Sequence, residues 1–444
     1  MMRSTHVLTA IMAAVLATHA RAQPNFVLIL SDDQSWVGSS VLMDARHPGS
    51  RSDYLRTPSL ERLARRGMTF SQGYAPAPFC CPTRRSLQVG QTPARHIYQR
   101  DQATWPLAYR DQLNIPAVLK RADPRYRLAH FGKWDHRFDT PTPEDVGYDI
   151  SDGYTGNGTG GGRGSGGPAA REDPKLIDHI TGRACSFLKE QAASGAPFYL
   201  QVSHYAVHLD IFYREHSLRK VLSWGPGKKH YFPPFAAMTR DMDAAVGQLL
   251  DCIDSQGLAE STYVIFLSDN GGRATLPGAG EPPVPRNRPL RGAKGSMYEG
   301  GIRVPFVVAG PAVAPGSVSD TPVTGLDILP TLADLAGYPD DLPASVDGGS
   351  LRHVLQGRDS VERRRDFLVF HQAVARKAQS ALRLGKWKLV KTWTDDRIEL
   401  FDLDRDVGES HDLAPTEKDL AGTLEESLTT FLAGVGAETR RTED

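Results

Sequence analysis

The 444-residue sequence has few cysteines, no charge imbalance and no long apolar run. Four cysteines in a chain of this size cannot staple a disulfide-dense fold, so a hydrophobic core must hold it. Cys185 and Cys252 could pair, whereas the adjacent Cys80 and Cys81 cannot bridge each other without strain. Lys and Arg number 52 against 52 Asp and Glu. No basic field therefore exists of the kind that gathers nucleic acid, and an anionic ligand must be gripped by local groups. No stretch reaches the roughly 18 apolar residues that suggest a membrane span. The one short run, from Val7 to Thr18, follows Arg3 and precedes Ala20-Arg21-Ala22. Residues 1–22 thus read as a signal peptide, which predicts a soluble secreted or periplasmic chain.

What is present is an alternation of strands and helices. Asn25 to Leu30 is a continuous apolar run of the kind buried on both faces of a parallel sheet, and it stops at Ser31-Asp32-Asp33. Thr57-Pro58 opens a helix with a capping residue and a first-position proline, closed at Gly67. Further strands are predicted at Tyr126 to Phe131, in the run PFYLQV, at Tyr263 to Leu267 and at Arg303 to Ala309, with helices after Pro174 and from Ala236 to Gln256. This rhythm predicts an α/β domain over residues 23–350, a mostly parallel central sheet sandwiched by helices. Over residues 351–444 the pattern changes to short strands, with a hairpin at Gly385-Lys386 and a closing amphipathic helix from Glu417 to Leu432. A small antiparallel α+β subdomain is expected there. Between Gly153 and Gly167 glycine is so frequent that the segment has nothing to bury and reads as a mobile loop.

In open α/β sheets, ligands sit beyond the carboxyl ends of the strands. Asp32-Asp33 and Asp269-Asn270 both stand at that place. Either pair alone is ordinary turn chemistry. Together they make three carboxylates and an amide oxygen, a hard-oxygen set whose repulsion asks for Ca²⁺ or Mg²⁺.

The sharpest signal is Phe79-Cys80-Cys81-Pro82-Thr83-Arg84, continuing through Leu87 to Gly90. A Cys-x-Pro-Thr/Ser-Arg match has a chance probability of roughly 10⁻³ in such a chain. It resembles the sulfatase signature, a Cys or Ser followed by any residue, Pro, a small residue, Arg and a hydrophobic stretch ending in Gly. The resemblance extends along the chain. PNFVLILSDDQ is similar to the family's opening strand and metal pair, FGKWDH to its Gly-Lys-Trp-His segment, and HYAVH to its central histidine segment. LSDNGG is similar to its second metal pair, LRGAKGSMYEGGIRVP to its lysine-containing stretch, and ELFDLDRDVGESHDLA to its C-terminal strand and turn. In order and spacing these blocks resemble the type I, formylglycine-dependent sulfatases of the alkaline-phosphatase superfamily, and they imply that fold.

The resemblance implies an arylsulfatase-like sulfuric ester hydrolase acting on sulfate monoesters of a sulfated carbohydrate. Cys80 would be oxidised to formylglycine by a formylglycine-generating or anaerobic sulfatase-maturating enzyme, and the hydrated aldehyde would offer one hydroxyl to attack sulfur and another to release sulfate. Asp32, Asp33, Asp269, Asn270 and the modified Cys80 would hold one Ca²⁺. Arg84 would steady the diol and the metal ligands, Lys133 and His136 would contact the diol with His136 as base, and His208 and Lys294 would stabilise the departing alkoxide. His204 reads as a core histidine and Glu299 and Arg303 as a structural pair, while Arg286 and Arg288, close to Lys294, are either substrate contacts or, as the favoured reading, a solvated turn. Asp135 stands where the family has its histidine, so the His136 assignment needs a local bulge. Two further readings stay open: a formylglycine-dependent phosphodiesterase or phosphonate monoester hydrolase, and a catalytically weak sulfated-glycan-binding protein.

Overall fold

Strand β1 (Asn25–Ser31) is buried along its whole length and pairs in parallel with a strand on each side. This is why its sequence is apolar without alternation. The computed structural model describes residues 23–96, 112–136, 141–161, 172–280, 285–373 and 378–439. The expected signal peptide, residues 1–22, and residues 162–167 of the glycine-rich segment lie outside the described residues.

Further along the chain come β2 (Met68–Phe70), β3 (Gly73–Tyr74), β4 (Arg127–Gly132), β5 (Ile150–Ser151), β6 (Phe198–Ser203), β7 (Thr262–Ser268), β8 (Phe306–Ala309), β9 (Ser317–Ser319) and β10 (Val323–Thr324). An eight-stranded sheet has the order β5-β4-β6-β1-β7-β8-β2-β9. All neighbours in it pair in parallel except β8, which runs against both β7 and β2. The mostly parallel sheet expected from the sequence is therefore present. The expected strand from Arg303 begins later, because Glu299–Ile302 forms a helical turn in which Gly300 and Gly301 lie against backbone. A Cβ on Gly301 would sit 2.0 Å from the Ser296 carbonyl oxygen, so the tight turn excludes a side chain.

Alternate residues of β1 point into two cores: Phe26, Leu28 and Leu30 into one, Val27 and Ile29 into the other. The helix Ile177–Ser194 covers the second core with Ile180, Ala184, Phe187 and Leu188. The buried isoleucine, phenylalanine and leucine each contribute about 1.5–3 kcal/mol relative to exposure. Cys185 on this helix is disulfide-bonded to Cys252 on the helix Pro233–Ser255. The helix Pro58–Arg66 is capped differently from expectation. Thr57 makes no cap bond and its hydroxyl engages Ser40 instead. The orphan N–H groups of Ser59 and Leu60 each donate over 2.9 Å to the Asp243 carboxylate, which arrives from a distant helix.

The C-terminal strands β11 (Phe367–Gln372), β12 (Gln379–Leu384), β13 (Trp387–Thr392) and β14 (Arg397–Asp402) form an antiparallel sheet in chain order. One face is covered by Leu424, Leu428 and Leu432 of the helix Lys418–Gly434. The other packs Phe370, Val390 and Phe401 against Tyr74, Met297 and Ile302 of the large sheet's surroundings. Beside this contact lies a buried charge cluster. Lys388 Nζ donates over 2.8 Å to both Glu299 and Glu409, and all three side chains are 0% exposed. Glu299 also accepts from Tyr74 Oη at 2.7 Å and pairs with Arg303 at 3.3 Å. No helix among the described residues is long and apolar enough to cross a membrane.

Candidate active site

The parallel register decides which side chains meet. Ser31 lies opposite Ser268 on β7, and Gly132 and Leu30 each lie opposite Ser203 on β6. Asp32, Lys133, His204 and Asp269 therefore follow four adjacent strands at one edge of the sheet. Asp33 adopts a left-handed conformation, φ 60°, which lets its N–H donate to Asp269 Oδ1 at 3.1 Å while Asn270 Nδ2 donates to Asp33 Oδ1 at 2.8 Å. The two acidic pairs are thus cross-linked into one cluster.

Cys80 begins the helix Cys80–Val89, every residue of which is buried and which ends at Gly90 in the left-handed conformation, φ 65°. Its Sγ accepts from Lys294 Nζ at 3.4 Å. Lys294 also ion-pairs with Asp33. Burial pushes the Cys80 thiol up to about 12, against the pull of Lys133 and Lys294. One turn on, Arg84 donates through Nε to Asp269 Oδ2 at 3.0 Å, ion-pairs with the same oxygen through Nη2 at 2.8 Å, and donates through Nη1 to the Lys133 carbonyl at 2.5 Å. Lys133 Nζ meets Asp32 at 2.5 Å. Burial pushes Asp32 up, but Lys133, then His208, Arg84 and Lys294 outweigh it and hold the carboxylate below its ordinary range. Burial, then the Asp32 charge, push Asp269 the other way despite Arg84. Two carboxylates so close compete for one supply of positive charge.

Asp32, Asp33, Cys80 and His208 each offer a ligand atom, all within 4.8 Å of one another. Asp32 Oδ1, Asp33 Oδ2 and Asn270 Oδ1 are buried without a hydrogen-bond donor. Unpaired buried acceptors are costly, and a hard cation is the partner that oxygen donors of this kind suit. The residues present therefore fit Ca²⁺ or Mg²⁺. His208 Nε2 lies 3.8 Å from Asp33, and its Nδ1 is 2.6 Å from the Leu209 carbonyl.

His136 is placed apart from this cluster. Asp135 takes a left-handed conformation, φ 50°, so the bulge exists, but it turns the Asp135 carboxylate to 3.3 Å from Lys133 Nζ. The His136 ring stacks on Trp134 with centroids 3.7 Å apart, and burial and the nearby Arg85 hold it far below the usual histidine range. The acid beside Lys133 is thus Asp135. His204 is fully buried, neither ring nitrogen has a hydrogen-bond partner, and burial lowers it to about 4, as a core histidine requires.

The glycine-rich segment is anchored where it is described. Thr155 bonds the Gly132 carbonyl, the Trp134 N–H and, through its own carbonyl, the Asp135 N–H. A Cβ on Gly160 would lie 2.1 Å from the Tyr205 ring, so this glycine serves close packing rather than mobility. One cation escaped the sequence reading, and another is more buried than it implied. Lys175, left-handed at φ 62° and 1% exposed, lies over the Phe212 ring and within the field of Asp32, and burial lowers it to about 8. Arg286, expected in a solvated turn, is 8% exposed, because the turn folds against Phe235 and His230.

The sulfatase family model matches residues 24–338, and that of the N-sulphoglucosamine sulphohydrolase C-terminal region matches residues 293–433. A sulfatase of Formosa agariphila is 27% identical across 95% of this chain and 90% of its own. Human arylsulfatase A is 29% identical across 82% of this chain and 74% of its own. The solved structure of Ps i-CgsB in complex with k-i-k-neocarrahexaose shares the fold, with a TM-score of 0.78 at 23% identity over 95% of each chain. On the strength of a family model spanning most of its length, with named sulfatases aligned along it, the chain belongs to the sulfatase family of sulfate ester hydrolases.

Proposed function

We propose that this enzyme removes sulfate from sulfated carbohydrates, with formylglycine made from Cys80 and one bound Ca²⁺. The observation that carries the reading is the setting of Cys80: its Sγ lies within 4.8 Å of oxygens from Asp32 and Asp33, with Lys294 3.4 Å away. An unmodified thiol raised to about 12 carries almost no thiolate at neutral pH and is a poor nucleophile there. The aldehyde hydrate at residue 80 would supply a hydroxyl nucleophile and, on the same carbon, a second hydroxyl through which sulfate leaves. Ca²⁺ held by Asp32, Asp33, Asp269 and Asn270 would supply positive charge for the sulfate oxygens.

The remaining groups act directly. Arg84 neutralises Asp269 and fixes the Lys133 backbone, so the metal ligands and the lysine are held by one guanidinium. Lys133 and Lys294 bracket residue 80 and stabilise negative charge that grows there. Asp135, rather than His136, is the base beside Lys133. His208, its Nδ1 held by the Leu209 carbonyl, presents Nε2 to the departing oxygen, and Lys294 assists it.

A carbohydrate substrate is supported by the N-sulphoglucosamine sulphohydrolase match and by the oligosaccharide in the Ps i-CgsB structure. Secretion or periplasmic location is supported by the Cys185–Cys252 disulfide, which persists in oxidising compartments. Formylglycine at residue 80 would also require a maturating enzyme that reaches the chain as it is made or exported. The test combines mass spectrometry of the peptide bearing residue 80 with turnover of sulfated mono- and oligosaccharides before and after chelation. Aldehyde at residue 80, sugar desulfation, and loss on chelation restored by Ca²⁺ are expected. A fully active protein with an intact Cys80 thiol refutes the nucleophile, and activity that survives exhaustive chelation refutes the cation.

A further inference from the structure

A small cavity of about 30 Å³ lies beside Asp33 and is lined also by Arg273 and Arg286. Arg286 also lines a wider groove of about 500 Å³ that carries Lys294 and runs to Arg397 on the C-terminal sheet. It is therefore a wall shared by the sulfate end of the site and the approach to it.

The position of Arg286 is built rather than incidental. His230 Nε2 lies 2.7 Å from its carbonyl, and the other ring nitrogen is held by Ser52 at 3.0 Å. The next residue, Asn287, donates to the Gly272 and Gly292 carbonyls at 2.9 and 3.1 Å, which ties the turn to the segment following the second metal pair. The guanidinium lies 5.4 Å from the Phe235 ring centre, a contact that orients its plane.

No carboxylate among the described residues touches it. Among the described residues neither Arg286 nor Arg273 forms an ion pair, and Arg273 Nε is buried without a hydrogen-bond partner. Burial lowers Arg286 to about 10, with Asp53 alone acting against it. Among the described residues the one carboxylate lining the cavity, Asp33, is already paired with Lys294. A buried guanidinium without a carboxylate is costly, and its planar fork matches the oxygens of a sulfate or carboxylate.

We propose that Arg286 and Arg273 form an anion subsite for a second sulfate or carboxylate of the substrate, so that the enzyme selects carbohydrates bearing two neighbouring negative groups. The inference rests on the sulfatase reading and narrows its substrate class. The arginines bind the group that is not cleaved, and the ester to be cleaved lies against Asp33 and residue 80. The selected sugar thus approaches along the groove with its unreacting anion on the Arg286 wall.

The test measures kcat/KM for the wild type, R286Q and R273Q on substrates that differ by one anionic group. Glucosamine 6-O-sulfate is paired with glucosamine 2-N,6-O-disulfate, monosulfated with disulfated galactose, and 4-nitrophenyl sulfate is the one-anion reference. The wild type should prefer the dianionic member of at least one pair by about 10–100-fold, mainly through KM, as expected for charge-assisted hydrogen bonds. Both variants should collapse that preference toward unity, and R286K should restore less of it than its charge alone would. A wild type with no dianionic preference in any pair, or variants that lose equally on both members, overturns the subsite. A wild type that releases sulfate from none of these esters refutes the sulfatase reading instead. Melting temperatures show whether R286Q folds, and the less buried R273Q decides the matter if it does not.

Discussion

Replacing Lys388 by Met removes the cation that Glu299 and Glu409 share at 2.8 Å each. Glu299 keeps Tyr74 Oη at 2.7 Å and Arg303 at 3.3 Å, so its charge stays partly answered. Glu409 keeps only the Glu299 N–H at 2.7 Å as a donor to its side chain. Breaking a fully buried pair in this way costs about 3–5 kcal/mol. With an unfolding entropy of about 2.1 cal/mol/K per residue, a chain of 444 residues loses about 3–5 °C in Tm. The loss should depend on pH. Burial already raises Glu409 to about 7, with Lys388 pulling down and Glu299 pushing up. A raised carboxyl stabilises the fold fully below its unfolded value near 4.5 and loses that contribution as pH rises through the folded value. Without Lys388 the folded value climbs further. The variant's deficit relative to wild type should therefore be largest at pH 8 and smaller at pH 6, by up to about 1.4 kcal/mol per pH unit. Calorimetric melts of both proteins at the two pH values, with K388M/E409Q as a partial rescue, check this. A deficit under about 1 °C, or one equal at pH 6 and 8, would refute a charge-based account of the cluster.

Three other outcomes are expected. H208A and K294A should each lose about 10²–10⁴-fold in kcat on a sugar sulfate and much less on 4-nitrophenyl sulfate, whose phenolate needs no proton; equal losses on both would move these residues to sulfate binding. D135N should cost at least 10²-fold in turnover while H136A lowers Tm more than it lowers kcat, because the His136 ring packs on Trp134; the reverse ranking would return the base to His136. C81S should retain most activity and still carry an aldehyde at residue 80, whereas an aldehyde at residue 81 in the wild type would displace the nucleophile by one position.

The central strands could be read from the sequence because a strand covered on both faces leaves no choice but apolar residues, as in Asn25–Ser31 and Thr262–Ser268. Their carboxyl ends then announced the acidic pairs. Strand direction could not be read: nothing in Phe306–Ala309 distinguishes an antiparallel neighbour of β7 from a parallel one. The Asp135–His136 choice turned on one backbone torsion, φ 50°, which residue type does not determine. The burial of Lys175 and Arg286 was hidden for a different reason. Both sit among polar and proline residues typical of exposed turns, and only tertiary packing against Phe212 and Phe235 buries them. The true cap of Pro58–Arg66, Asp243, lies 183 and 184 residues from the N–H groups it receives, beyond any local pattern.

The placement of β1 between β6 and β7 has a consequence in time. Asp33 and Asp269, which meet at 3.1 Å, are 236 residues apart in the chain, and Arg84 waits 185 residues for the same carboxylate. Synthesis at about 5–20 residues per second leaves roughly 10–40 s between the emergence of the Cys80 helix and that of its electrostatic partner. During that interval neither the central strand nor the helix has its full set of neighbours, and the thiol that ends 8% exposed is open to solvent. The long-range strand pairing therefore acts as a clock, leaving residue 80 open to solvent until the sheet closes over it.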